Sequence, residues 1–161
     1  MKMPSRVAQM QNSHIDDVVR LELQANANPL SASVLLNELK SPTHLLLVAC
    51  VPSEIHPGTE KAVGYTGGQV VADELHIHSL VVEEKFRRHG LGLKLISNLI
   101  DSAIDRGSKS ATLEVRVGNS GAIALYEKLG FVTEGQRPHY YADNGEDARI
   151  MWLRALEKVL N

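Results

Sequence analysis

An apolar run, His76 to Val82, leads through Arg87–Ile96 (RRHGLGLKLI) into a helical pattern that reaches Asp105. Gly90 and Gly92 stand where strand becomes helix. Glycines there let the backbone turn sharply and bring its bare N–H groups close to a ligand. The first turn of a helix has unpartnered N–H groups and the positive end of the helix dipole, so such a turn suits a phosphate or pyrophosphate. Arg87 and Arg88 add positive charge beside it.

Two nucleotide motifs are excluded by the residues. A P-loop needs Gly-Lys followed by Ser or Thr, but Gly92 is followed by Leu93 and Lys94. A dinucleotide fingerprint needs a third glycine three residues beyond Gly92, where Leu95 stands.

The remaining composition narrows the partners. At 161 residues, 43% hydrophobic and 22% charged, the chain is read as a single domain with a sizeable core. Its 17 Lys and Arg against 19 Asp and Glu, a net charge of −2, disfavour nucleic acid as the main ligand and make any basic surface local to Arg87, Arg88 and Lys94. One cysteine, Cys50, has no internal disulfide partner and lies in an apolar run, as a small core residue would. No stretch is long and apolar enough to span a bilayer, and the start, MKMPSRVAQM, carries no secretory leader pattern, so a cytoplasmic protein is expected.

In chain order, Arg6–Met10 reads as a strand and Ser13 as the cap of a helix to about Ala25, with Ile15, Val18, Val19, Leu21 and Leu23 on its apolar face. Asn26–Pro29 breaks it, and Ser31–Lys40 resumes helical spacing. Leu45–Val51 is a buried strand, Pro52–Glu60 a loop, and Ala62–Val71 and Glu74–Val82 two more strands, with Gly64, Gly67 and Gly68 marking a bulge in the first. Leu91–Asp105 is a helix with Leu91, Leu95, Leu99 and Ala103 in one row, stopped by Gly107. Ser110–Val117 alternates Leu113, Val115 and Val117 against Thr112, Glu114 and Arg116. Asn119 or Ser120 caps a helix that Gly130 stops, and strands start at Phe131 and Ala148. His139–Gly145 reads as a hairpin crowned by Asn144-Gly145. This order predicts an α/β (α+β) fold, a mixed, mostly antiparallel sheet with helices on both faces.

The spacing Arg87-x-x-Gly90-x-Gly92 after an apolar strand resembles the acetyl-CoA pyrophosphate loop of the GNAT superfamily of N-acetyltransferases. Further matches follow in order: LEVR (Leu113–Arg116), Asn119, AIALYEKLGF (Ala122–Phe131) and RPHYYADNGEDARIM (Arg137–Met151). Together they closely resemble the RimI family, bacterial N-alpha-acetyltransferases of a small-subunit ribosomal protein with an N-terminal alanine. The similarity is closest from about Asp73 to Met151. HIHSL (His76–Leu80) and YYADNGEDA (Tyr140–Ala148) also resemble the catalytic subunits of archaeal and eukaryotic N-alpha-acetyltransferases.

The resemblance implies acetyl-CoA as co-substrate, no metal, and direct attack of an amine on the thioester. It implies that the Leu80, Val81 and Val82 backbone pairs with pantetheine and offers an N–H to the oxyanion. Arg87, Arg88, His89, Gly90, Leu91, Gly92 and Leu93 would form the pyrophosphate loop, and Asn119 would hold the cofactor arm. Glu114 matches the family's general base and Tyr126 its general acid. An α-amine has a pKa of about 7.7–8.0, so a modest base is enough to free it for attack. Read without the resemblance, Glu114 is equally a solvated carboxylate or a partner for Arg116, and Tyr126 a core aromatic. Tyr140 and Tyr141 stand where the family clamps its peptide, and Leu30, in Asn28–Ser31, falls where RimI enzymes carry more bulk at the groove edge. His76 and His78 share a strand face and could relay a proton; two histidines without a third ligand make a poor metal site. The open alternatives are other protein N-termini, lysine side chains or small amines as acceptors, or an acyl-CoA-binding module without turnover.

Overall fold

The computed structural model describes residues 5–158; the first residues of the stretch read above for a leader lie outside it. Seven strands form one sheet: β1 (Arg6–Gln9), β2 (His44–Pro52), β3 (Glu60–Val71), β4 (Glu74–Val82), β5 (Ser110–Arg116), β6 (Val132–Arg137) and β7 (Ala148–Leu153). Their order is β1-β2-β3-β4-β5-β7-β6, antiparallel throughout except for the parallel pair β4–β5. Helices α1 (Ile15–Ala25) and α2 (Ala32–Lys40) cover one face, and α3 (Leu91–Asp105) and α4 (Ser120–Lys128) the other. The expected mixed α/β fold with helices on both faces is therefore the one observed. Among the described residues no helix is long and apolar enough to cross a membrane.

Burial follows this layering. β2 is buried from Leu45 to Val51, because both of its faces are covered. The row Leu91, Leu95, Leu99 and Ala103 lies in the core beneath α3, and Cys50 is buried beneath α1 and α2. Ser31 caps α2 by accepting the Val34 N–H at 3.3 Å. Ser13 does not cap α1: it sits in a single 3₁₀ turn, Asn12–His14, whose His14 Nδ1 accepts the Gln11 N–H, and the α-helix starts only at Ile15.

The irregularity expected in β3 lies across from it. Ser79 pairs with Gly67 and Ile77 with Gly68, so His78 is an extra residue in β4 with no opposite number. A bulge shifts side-chain alternation by one. Leu75 and Ile77 point into the α3 core before it, whereas Val81 faces the α1–α2 core after it. The glycines opposite make the bulge possible, since a Cβ on Gly68 would lie 2.8 Å from the His76 carbonyl oxygen.

Gly68→Ala is therefore expected to lower stability by about 1–3 kcal/mol in urea unfolding. Gly121→Ala, in α4 with open space around its Cβ position, should instead stabilise by about 0.4–1 kcal/mol.

Candidate active site

β4 and β5 pair only as far as Ile77 and Leu113. Past that point β4 stays with β3 and β5 with β7, and the sheet opens. The Glu83 N–H donates to the Val63 carbonyl, so alternation turns Val81 towards β3 as well. The backbone groups of Leu80 and Val82 then face the opening. A cavity of about 230 Å³ occupies it, lined on β4 by His78, Leu80 and Val81, on β5 by Glu114 and Arg116, and elsewhere by Asn26, Asn119, Tyr126 and Tyr141.

At one end of this opening lies the start of α3. Gly90 is the N-cap with φ +79°, and no side chain caps the helix. The Lys94 N–H takes the Gly90 carbonyl at 3.0 Å, which leaves the N–H groups of Leu91, Gly92 and Leu93 without an acceptor inside the helix. A Cβ on Gly92 would lie 2.9 Å from Leu125 Cδ1, so glycine is what lets α4 close over this turn. Bare donors, a dipole end and an open strand edge leading to them fit a pyrophosphate with a long arm. Arg88 and His89 lie exposed in the turn, whereas the Arg87 Nε–H donates to the Val82 carbonyl at 2.9 Å and braces the strand edge. The Lys94 ammonium donates to the Ser5 carbonyl. Leu91 is buried and offers only its backbone.

Glu114 and Tyr126 reach the same cavity from opposite faces of the sheet. Glu114 projects on the α1–α2 face, its carboxylate 3.6 Å from Arg137 Nε, and it is not the partner of Arg116. Tyr126 comes from α4 on the other face and is buried. Its position is set by the end of its helix: Phe131 N–H bonds the Tyr126 carbonyl and Gly130 N–H the Glu127 carbonyl, with Gly130 at φ +100°. The Phe131 ring meets the Tyr126 ring edge-on at 5.6 Å. Burial, with a smaller contribution from Tyr141, pushes the Tyr126 phenol well above its ordinary value, so it keeps its proton at neutral pH. Among the described residues its hydroxyl has no hydrogen-bond partner.

Two loops wall the cavity on the α1–α2 face, and each is held by one charged side chain. Arg116 bonds Asp143 at 2.9 Å, Glu146 at 3.3 Å and Asn144 at 3.3 Å, and stacks 3.9 Å from the centre of the Tyr141 ring. Glu146 also accepts the Gly118 N–H, the main reason its carboxyl is held below the usual range. The segment 138–147 is thus an irregular loop; Asn144-Gly145 does not form a two-residue hairpin turn, and the Gly145 N–H bonds the Tyr141 carbonyl. Tyr141 lines the cavity, whereas Tyr140 is half exposed and packs edge-on against it at 5.0 Å.

On the other wall, buried Glu22 of α1 accepts hydrogen bonds from the Tyr65 hydroxyl, the Asn26 amide and the Leu30 N–H. Asn26, not Leu30, reaches the cavity; Leu30 packs on the α1–α2 core. Asn119 lines the cavity while its Oδ1 caps α4 through the Ala122 N–H. Sequence reasoning missed Arg116, Glu22 and Asn26. Glu22 had a signal, a charge in the buried row Val18–Leu21–Glu22, whereas Arg116 had none, since its partners come from a distant loop. His76 pairs with Glu74 and stays off the cavity lining. Among the described residues no three His, Cys, Asp or Glu side chains could hold a metal ion.

Residues 15–131 match the model of the acetyltransferase (GNAT) family. The chain belongs to that family. Acetyl-CoA is accordingly its acetyl donor. A putative [ribosomal protein bS18]-alanine N-acetyltransferase of Bacillus subtilis is 32% identical over 95% of this chain and 97% of its own. Among solved structures, the ribosomal-protein-S18-alanine N-acetyltransferase of Escherichia coli superposes with a TM-score of 0.80 at 30% identity, over 98% of this chain and 99% of its own. Ard1 of Thermoplasma volcanium gives 0.82 at 26% identity, over 95% and 99%.

Replacing Arg116 with lysine keeps the charge but removes the planar fork and the stacking on Tyr141. The variant should raise the KM for the acceptor amine by about tenfold, which is about 1.4 kcal/mol of lost loop order, and leave the KM for acetyl-CoA unchanged in initial-rate assays.

Proposed function

We propose that this GNAT acetyltransferase acetylates the α-amine of a protein N-terminus, with the alanine-initiated small-subunit ribosomal protein as its substrate, in the cytoplasm. The observation that carries the reading is the arrangement of Glu114 and Tyr126 on opposite faces of one gap in the sheet. An amine entering between the α1–α2 loop and the 138–147 loop meets a carboxylate first. The kinship with bS18-alanine N-acetyltransferases over nearly the whole chain supports the substrate.

In this reading acetyl-CoA supplies the acetyl group as a thioester, held by the N–H groups of Leu91, Gly92 and Leu93, by the strand edge at Leu80–Val82, and by Asn119. Arg88 and His89 lie beside the phosphate end, and Arg87 acts through Val82. Glu114 takes the proton of the α-ammonium, directly or through a water. The N–H groups of Leu80 and Val82 are placed to stabilise the thioester oxygen as charge develops on it. Tyr126 holds its proton at neutral pH and gives it to the departing sulfur. Tyr141 covers the amine end of the peptide.

Initial rates with short peptides differing only in residue one, beside an N-terminally blocked peptide containing lysine, test the substrate. Turnover of the Ala-starting peptide is expected. Preference for a Met start would point to the archaeal-like specificity, and activity on the blocked peptide alone would overturn the reading.

Glu114→Gln and Tyr126→Phe should each lower kcat by about a hundredfold or more. Because the Tyr126 phenol is raised above its ordinary value of 10, the wild-type rate should climb as the amine deprotonates near pH 8 and show no falling limb below about pH 10. A falling limb between about pH 8 and 9 would contradict the role given to Tyr126.

A further inference from the structure

The cavity holds one titratable side chain that the steps above leave unused. His78 is the extra residue of the β4 bulge, and it lines the same opening as Glu114, Tyr126 and Tyr141. A carboxylate with a reference value of about 4.3 is a poor final resting place for a proton taken from an amine near 8, whereas an imidazole, even lowered from its reference value of about 6.5, is a nearer match. The bulge puts such an imidazole in the lining of the same opening as Glu114.

We propose that His78 is a second proton acceptor in the transfer, receiving the α-ammonium proton from Glu114 or through a water and passing it to solvent. This rests on the acetyl-transfer reading. The N–H bond of the ammonium breaks and one forms on the imidazole. The freed lone pair makes the N–C bond; as the C–S bond breaks, the nitrogen gives its second proton to the Glu114 carboxylate, which returns it to solvent, and the sulfur takes the Tyr126 proton, which solvent replaces.

The neighbours of His78 suit this role. Its ring is solvent-accessible at the edge of the cavity, yet partial burial still lowers its pKa first, and His44 of β2 and His76 of β4 add to that, with Glu114 of β5 pulling the other way. His78 is then uncharged at neutral pH and able to accept. The His44 ring lies 6.4 Å away, centre to centre, and is itself bonded to Ser41 and 3.9 Å from Glu38 of α2. His76 is tied to Glu74 at 3.3 Å. Arg116 of β5 and Tyr141 complete the lining around His78 and are already engaged with each other.

The test is the pH dependence of peptide acetylation by the full chain carrying His78→Ala or His78→Gln, with and without free imidazole. His78→Ala should lose about a hundredfold in kcat/KM for the peptide at pH 7, keep its KM for acetyl-CoA, and lose the wild-type acid limb below pH 6.5. Imidazole should restore about tenfold in His78→Ala, in proportion to its neutral form, and nothing in His78→Gln, whose side chain fills the space. A wild-type rate in His78→Ala, or a loss that imidazole does not repair, overturns the inference and leaves His78 as part of the groove wall. A wild-type enzyme that acetylates no peptide would instead remove the acetyl-transfer reading, and this inference with it.

Discussion

The site depends on one extra residue in a β-strand. With regular pairing, β4 and β5 would continue side by side and the middle of the sheet would be closed. His78 adds a residue to β4 and shifts its alternation, and the strand leaves β5 immediately after Ile77. This exposes the backbone of Leu80 and Val82 in the interior of a sheet, where unpaired N–H and C=O groups are costly unless something meets them. The Arg87 side chain already meets one of these groups, the Val82 carbonyl. A ligand with amide groups along its length is the natural partner for the others. The helix start at Gly90, with its unpartnered N–H groups, sits at the end of the same opening, so the strand edge and the helix start form one continuous surface of free backbone donors.

Charge around the opening is used mainly to hold backbone in place. The acidic loop Asp143–Asp147 is not free to receive a basic peptide: Asp143 and Glu146 are occupied by Arg116, and Asp147 by the His139 N–H and the Gln136 amide. Glu22 likewise spends its oxygens on Tyr65, Asn26 and Leu30. Glu114 has a different setting. Its counter-ion Arg137 is at 3.6 Å and more than half exposed, an arrangement an incoming ammonium can displace at little cost.

Much of this was legible in the sequence where the signal is local. The two glycines between an apolar strand and a helical row marked the turn at which α3 starts with no side chain capping it. The alternation of Ser110–Val117 put Glu114 opposite the buried Leu113 and Val115, and Tyr126 four residues before Gly130 matches a helix end that fixes it. What the sequence could not show depends on long-range register. Glycines in β3 announced an irregularity, but the inserted residue belongs to the facing strand. Asn144-Gly145 resembles a tight turn, yet the pull of Arg116 on three side chains of the loop gives a different path. Arg87 reads as a phosphate ligand until the carbonyl of Val82 is seen within its reach, and Ser13 reads as a cap until a 3₁₀ turn is found to precede the helix, leaving His14 at its N-cap position with no side-chain cap.

The central claim is that the strand edge opened by the His78 bulge is where acetyl-CoA binds. Amide hydrogen exchange of Leu80 and Val82, measured in the free chain and with CoA, tests it most directly. The account predicts that these two N–H groups exchange readily without ligand and become protected with it, together with those of Leu91, Gly92 and Leu93. Protection confined to the α3 start, with Leu80 and Val82 unchanged, would contradict it.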